Sequence, residues 1–157
     1  LQSRGLGDVY KRQGIGRSRG TGLGTWVLDT TLIAGSANLA NLFDLRPGRC
    51  LKVATLAAMP LIPAKDTATP LAAGAIATSA LALPADLGER EMLGDTGANA
   101  LGALLGSAWA QKTGTGGKII GVLGVLALTA ASEKISFSQV IAKTPGLRTI
   151  DQLGRRR

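Results

Sequence analysis

The chain has 157 residues, the size of one ordinary domain, and its 45% hydrophobic content is almost all Ala, Leu, Ile and Val, with 22 glycines and only 3% aromatics. Small residues at this density favour the close helix–helix approach of membrane bundles, while the absence of His removes imidazole chemistry and the lone Cys50 rules out an intrachain disulfide. A net charge of +8 does not point to nucleic acid, because the basic residues gather at the ends and in one short loop, with almost no aromatics for base stacking.

Residues 1–13, LQSRGLGDVYKRQ, look foreign to the rest. GLGDVYKRQ is similar to translated sequencing-adapter tails, and such segments are excluded from fold reasoning. Setting them aside removes Arg4, Lys11, Arg12 and Asp8, so the charge falls from +8 to +6. There is no initiator Met, and the chain is expected to be the C-terminal part of a longer protein.

Beyond residue 13 come five apolar segments, each bounded by turn or charge signals. The first, about 23–43, is interrupted only by Asp29 and small polar residues, and it alone reaches the ~20 residues of a simple spanning helix. The second, 51–63, is short. The third, 70–84, is Ala-rich; the fourth starts at Asp95 and ends near Ala110; the fifth, 118–132, carries IIGVLGVLALTAA. At roughly 13 to 17 residues these later segments lie where a buried soluble helix competes. Their recurrence with short loops, the lack of a polar stripe and the near absence of charge favour the membrane. The expected fold is all-α: a polytopic transmembrane bundle of about five helices over residues 14–132, with an amphipathic tail over 133–157.

If every segment spans, loop 44–52, loop 86–95 and the tail share one side. That side carries Arg46, Arg49, Lys52, Arg90, Lys134, Lys143, Arg148, Arg155, Arg156 and Arg157. The other holds Lys65, Lys112 and Lys118, with Arg17 and Arg19 near the start. The positive-inside rule makes the first side cytoplasmic, and the same parity puts every cluster of polar residues there.

Asn38, Asn41 and Asp44 are spaced by three, so on a helix they follow one slowly drifting face. Polar side chains at membrane depth face a bundle interior or a wet cavity. Two uses fit: interhelical hydrogen bonding with a helix stop at Pro47-Gly48, or a site. Arg46 and Arg49 beside Asp44 suit either phosphate oxygens or anionic lipid headgroups.

In MLGDTGANALGALLG, residues 92–106, Asp95 and Thr96 stand just before an apolar run. They read as an N-cap. The second reading is a site, where backbone N–H groups meet an anionic ligand and the carboxylate holds that ligand's divalent cation. Gly102 and Gly106 form a G-x-x-x-G pair suited to helix packing. GTGGK at 114–118 is not a P-loop, because Lys112 stands at the first glycine position and Ile119 comes directly after Lys118. In the tail, Phe137, Val140 and Ile141, then Leu147, Ile150 and Leu153, suit two helical pieces broken at Pro145-Gly146. These would lie on the membrane surface; a solvated tail is the alternative.

Leu93-Gly94-Asp95-Thr96-Gly97-Ala98-Asn99-Ala100-Leu101-Gly102 resembles the GD-x-G-x-x-x-LG motif of the polyprenyl-phosphate hexosamine-1-phosphate transferases. This superfamily includes the phospho-N-acetylmuramoyl-pentapeptide transferase and the enzymes that load N-acetylglucosamine phosphate onto undecaprenyl phosphate. Asn38-x-x-Asn41-Leu-x-Asp44 resembles the start of the superfamily's N-x-x-NL-x-DG-x-DG loop. The resemblance covers about 24–132. It implies a multi-helix enzyme of the bacterial plasma membrane that moves a sugar 1-phosphate from a UDP-sugar to a polyprenyl phosphate at the cytoplasmic face, releasing UMP, with Mg²⁺. On it, Asp95 maps to the metal aspartate, and Asn41 and Asp44 to the nucleotide-side loop. Asp44 is then the catalytic candidate, with Asn38, Asn41, Arg46, Arg49, Thr96 and Asn99 the substrate-binding candidates. A homodimer is compatible with it. Pro47 stands where the loop has its second aspartate, the superfamily's paired-aspartate motif would lie upstream of this chain, and the His-rich loop of the peptidoglycan branch is missing. The chain alone is therefore expected to be inactive, and the peptidoglycan enzyme itself is not expected. The alternatives are a non-catalytic membrane scaffold of the same fold and a soluble Ala/Gly-rich helical domain.

Overall fold

The structure, a computed structural model, describes residues 22–64 and 67–154. Among these it has seven α-helices and no strand: α1 (Leu23–Phe43), α2 (Arg49–Ala58) running into a 3-10 stretch (Met59–Ala64), α3 (Ala68–Leu87), α4 (Gly94–Lys112), α5 (Thr115–Lys134), α6 (Phe137–Lys143) and α7 (Pro145–Gln152). The all-helical expectation holds. The proposed adapter segment, Arg17, Arg19, Lys65 and the three terminal arginines lie outside the described residues.

Helices α3, α4 and α5 outrun the apolar segments that announce them, while α1 keeps the expected bounds. Proline reads as the boundary of the third segment at both ends, yet α3 begins at Ala68 and ends at Leu87, with Pro84 inside it. Pro70 falls in the first turn, where a backbone N–H has no intrahelical acceptor to lose. Pro84 falls in the last turn, where its missing N–H removes one bond from an end that would fray anyway. Two helices, α3 with mean hydropathy 1.4 and α5 with 1.5, are long and apolar enough to cross a membrane. The 21-residue α1 has the length, but Asp29, the threonines and the asparagines dilute its hydropathy. The 51–63 segment makes no long helix, because Pro60 and Pro63 turn it into the 3-10 stretch after ten residues of α2.

At the centre α1 packs along α4 and α5, while α3 packs on α4 and α2. The core is built from small side chains, among them Ala54, Ala58, Ala72, Ala75, Ala98 and Ala108, with Leu51, Leu61 and Leu101. Such residues each bury little area, so the helices must approach closely. A Cβ on Gly102 would run into Ser36 O and lie 2.7 Å from Ala37 Cα, and one on Gly106 would lie 2.8 Å from Ile33 Cα. The G-x-x-x-G pair therefore sets α4 backbone to backbone against α1, as the spacing predicts. Helix α5 leans on α1 through Gly35, but its other side is open: Ile120, Leu123 and Leu126 are 73%, 61% and 51% exposed. An apolar face this bare suits lipid or another helix rather than water.

The two ends of the bundle differ. One gathers Asp44, Gly48, Arg49, Asp86, Gly94 and the tail, so loop 44–52, loop 86–95 and the tail do share an end. The other holds Asp29 and Lys118. Lys118, which opens the fifth apolar segment, is buried in the first turn of α5, with its Nζ 2.5 Å from Asp29 Oδ1. The contact is an ion pair but does not have hydrogen-bond geometry.

Candidate functional site

Asp44 closes α1, its backbone N–H bonding back to Ala40 O at 3.2 Å and Asn41 O at 3.1 Å. Pro47 and Gly48 then turn the chain into α2. Gly48 sits at φ +71°, in the left-handed region where a Cβ is disfavoured, and its N–H donates to Asp86 Oδ2 at 2.6 Å. Asp86 is 4% exposed on the last turn of α3, the end of a helix dipole that repels a carboxylate, and the Gly48 N–H offsets part of that cost. Across the end, Gly94 (φ +67°) opens α4, and its backbone hydrogen-bonds the Asp44 carboxylate.

Asp44 is therefore pulled both ways. Burial raises its pKa above the ordinary value, the Asp86 charge raises it further, the Gly94 bond opposes them, and Asp95 adds a smaller upward push. The balance is a carboxyl that holds its proton to higher pH than usual. Burial, together with the charges of Asp44 and Asp86, pushes the Cys50 thiol up to about 12. A thiol so shifted stays protonated at neutral pH and is no nucleophile.

The tail lies across this end. Phe137 stacks on Phe43 with ring centroids 5.2 Å apart. Arg49 Nη1 donates to Ser138 Oγ at 2.8 Å, its Nε to Asp151 Oδ1 at 2.7 Å and its Nη2 to Asp151 Oδ2 at 3.3 Å. Lys52 Nζ donates to the Asp151 backbone O at 2.9 Å.

The structure brings Asp44 and Asp95 into one electrostatic neighbourhood. It leaves Asn38, Arg46, Thr96 and Asn99 exposed and Asn41 half-buried. Arg49, a phosphate candidate, is 3% exposed and paired with Asp151. One reading needs correction. Asp95 does not cap α4: the helix starts at Gly94, Leu93 is its N-cap, no side chain bonds there, and Asp95 stands exposed in the first turn. Sequence reading misses Asp86 and Asp151. The one available signal for Asp86 is a lone carboxylate ending an apolar run.

An apolar groove of about 470 Å³ runs between α1, α2, α4 and α5, lined by Leu39, Val53, Ala57, Leu105 and Trp109 among others. Phe43 and Cys50 line it where it nears the acidic end. Among the described residues no three Asp, Glu or Cys side chains converge on one metal position. Mg²⁺ is commonly held by only one or two carboxylates plus substrate phosphates. Asp95 with a neighbouring carboxylate fits that mode, and the negative charge that raises Asp44 is charge a cation would relieve.

Comparison with protein families, with curated proteins and with solved structures found no match for this chain.

Proposed function

We propose that this chain is the C-terminal part of a membrane transferase that moves a sugar 1-phosphate from a UDP-sugar to a polyprenyl phosphate, in cell-envelope glycan synthesis at the cytoplasmic face. The observation that carries this reading is the meeting of three features at one end of an apolar bundle: the Asp44, Asp86 and Asp95 carboxylates, the Arg49 and Lys52 cations, and the apolar groove. A long isoprenoid chain is the kind of apolar ligand such a groove takes, with its phosphate at the polar end. In this reading the whole bundle of about five segments lies in the membrane, and the basic end faces the cytoplasm.

The residues divide the work. The exposed Arg46 and the Arg49–Lys52 pair attract the lipid phosphate. Asn41 orients the nucleotide. Asp44, whose carboxyl holds a proton unusually well, accepts the proton of the lipid phosphate and leaves it charged for attack. Asp95 would hold Mg²⁺, which when bound neutralises charge developing on the transferred phosphoryl group.

The test is transfer of radiolabelled sugar phosphate from a UDP-sugar into the lipid phase by the complete protein, with undecaprenyl phosphate as acceptor. Label should appear and be lost in Asp44→Asn and Asp95→Asn. A second reading, a non-catalytic scaffold, is favoured by Pro47 in place of the second loop aspartate and by the engagement of Arg49 with Asp151. It stands if no label moves with any UDP-sugar tried.

A further inference from the structure

The Asp151 carboxylate meets Arg49 as a phosphate monoester would. Two of its oxygens accept from two guanidinium nitrogens, at 2.7 and 3.3 Å, while Lys52 reaches the same residue at its backbone oxygen. Side-by-side acceptance of this kind is the recognition geometry arginine shares between carboxylates and phosphates. Arg49 is anchored at the start of α2, with Cys50 and Leu51 in the core just behind it. Asp151 is carried differently. Helix α7 has no buried residue, its Leu147, Ile150 and Leu153 are 46%, 44% and 68% exposed, and Asp151 is the residue by which it reaches Arg49. A fixed, desolvated cation thus faces an anion on a lightly attached segment.

We propose that α7 is a latch: Asp151 is an internal competitor for a phosphate-monoester site formed by Arg49 and Lys52, and arrival of that phosphate frees the helix. This rests on the proposed function only in taking the anion to be a phosphate monoester. Ser138, on α6, donates nothing to the competition. Its Oγ accepts from Arg49 Nη1 and holds the guanidinium in place whichever anion occupies it. The Phe43–Phe137 stack keeps α6 seated when α7 leaves, so the moving part is 145–153. Once released, α7 presents Leu147, Ile150 and Leu153 to the membrane surface together with Arg148.

The test uses the full chain in dodecyl maltoside micelles, read by hydrogen exchange of peptides covering 145–153, with 98–110 in α4 as the folding control. Dodecyl phosphate is titrated in, alongside inorganic phosphate and dodecylphosphocholine, a phosphodiester. Dodecyl phosphate should speed exchange in 145–153 without touching 98–110, and dodecylphosphocholine should not. If inorganic phosphate acts equally well the site reads a free phosphate; if only dodecyl phosphate acts it reads a lipid headgroup. Asp151→Asn should lower the half-saturating dodecyl phosphate about tenfold, the order of one charged hydrogen bond no longer competing. Should that variant lose protection in 98–110, Asp151→Glu, which keeps the charge on a longer arm, should still shift the half-saturation away from the wild-type value. Phosphate-independent exchange of 145–153, or unchanged half-saturation in a folded Asp151 variant, would make the tail a fixed staple and end the proposal. Because no sugar nucleotide is present, a latch without transfer refutes only the transferase reading, and transfer with a phosphate-insensitive tail refutes only the latch.

Discussion

The Gly48 N–H and the Asp86 carboxylate, 38 residues apart, meet at 2.6 Å and tie the entry of α2 to the exit of α3. Both groups are buried, so the bond is made under conditions in which losing it is expensive. Asp86→Ala leaves the N–H without an acceptor and should cost about 1–3 kcal/mol, whereas Asp86→Asn keeps an accepting oxygen and should cost less than half of that. Gly48→Ala should be worse than an ordinary loop substitution, since its Cβ would lie 2.5 Å from Leu87 Cδ2 in a left-handed backbone. Thermal unfolding in a fixed detergent orders the three. An Asn variant as damaging as the Ala variant would show that the charge, not the hydrogen bond, is decisive.

Asp44 sets a pH dependence of definite sign. Its folded-state carboxyl lies above its ordinary value of 3.8, so the native chain binds that proton more tightly than the unfolded chain. The resulting penalty is absent below the unfolded value, grows as pH rises through the folded one, and is complete above it. Asp44→Asn should therefore raise the melting temperature at pH 7, and the gain should shrink toward nothing as pH falls below 4. A gain that grows on acidification contradicts the assignment of cause.

The glycines of the bundle divide by what a methyl group would meet. Gly102→Ala drives a Cβ into the backbone of α1 at Ser36 and Ala37, which cannot swing aside, and should cost about 1–3 kcal/mol or more. Gly124 in α5 has nothing within 4 Å of the same position, so Gly124→Ala should be neutral or add about 0.5–1 kcal/mol. Equal effects from the two would remove the case for backbone contact between α1 and α4.

Asp95→Asn separates chemistry from structure. With no capping bond to lose, the variant should melt within ~0.5 kcal/mol of wild type, as exposed substitutions usually do. Transfer by the complete protein should nevertheless fall by at least ~100-fold, the size of effect expected when ~3 kcal/mol of transition-state stabilisation goes. Activity within a few-fold of wild type, at matched protein levels, would leave Asp95 without a role in transfer.

Orientation is open to direct labelling. Gln139 on α6 of the tail and Thr115 at the start of α5 are exposed at opposite ends of the bundle, while Cys50 is buried and its thiol stays protonated, so it should label slowly. A cysteine at 115 should react with an impermeant maleimide added to intact cells, and one at 139 only after lysis. The reverse pattern inverts the proposed topology.

Much of the bundle is legible in the sequence because its signals are local. The apolar runs locate α1, α3, α4 and α5, the glycine spacing marks α4 for close packing against a neighbour, and Pro145 marks the start of α7. Helix ends come out too short from sequence because a proline that fits the first or last turn looks the same as a stop. The candidate site is legible only for residues that carry a motif, Asp44 and Asp95. Asp86 shows only as a lone carboxylate ending an apolar run, and matters because Gly48 faces it. Asp151 lies 102 residues from Arg49, and nothing in the spacing of a tail helix announces which cation it will find. The cap reading of Asp95 fails for a backbone reason: Gly94, at positive φ, starts the helix one residue earlier and puts the carboxylate inside the first turn.

The Asp29–Lys118 pair bears on how the chain is made. In the membrane setting proposed above, Asp29 of α1 and Lys118 of α5 each put a charge into the apolar body of a helix, and each alone bears the burden of an unpaired ion beside lipid. Neutralisation comes only when the two helices touch, yet 89 residues separate the partners. During synthesis α1 emerges before α5 and carries Asp29 without its Lys118 partner through the production of α2, α3 and α4. Helix α1 thus waits for its permanent place in the bilayer, and arrival of α5 is the event that commits both helices.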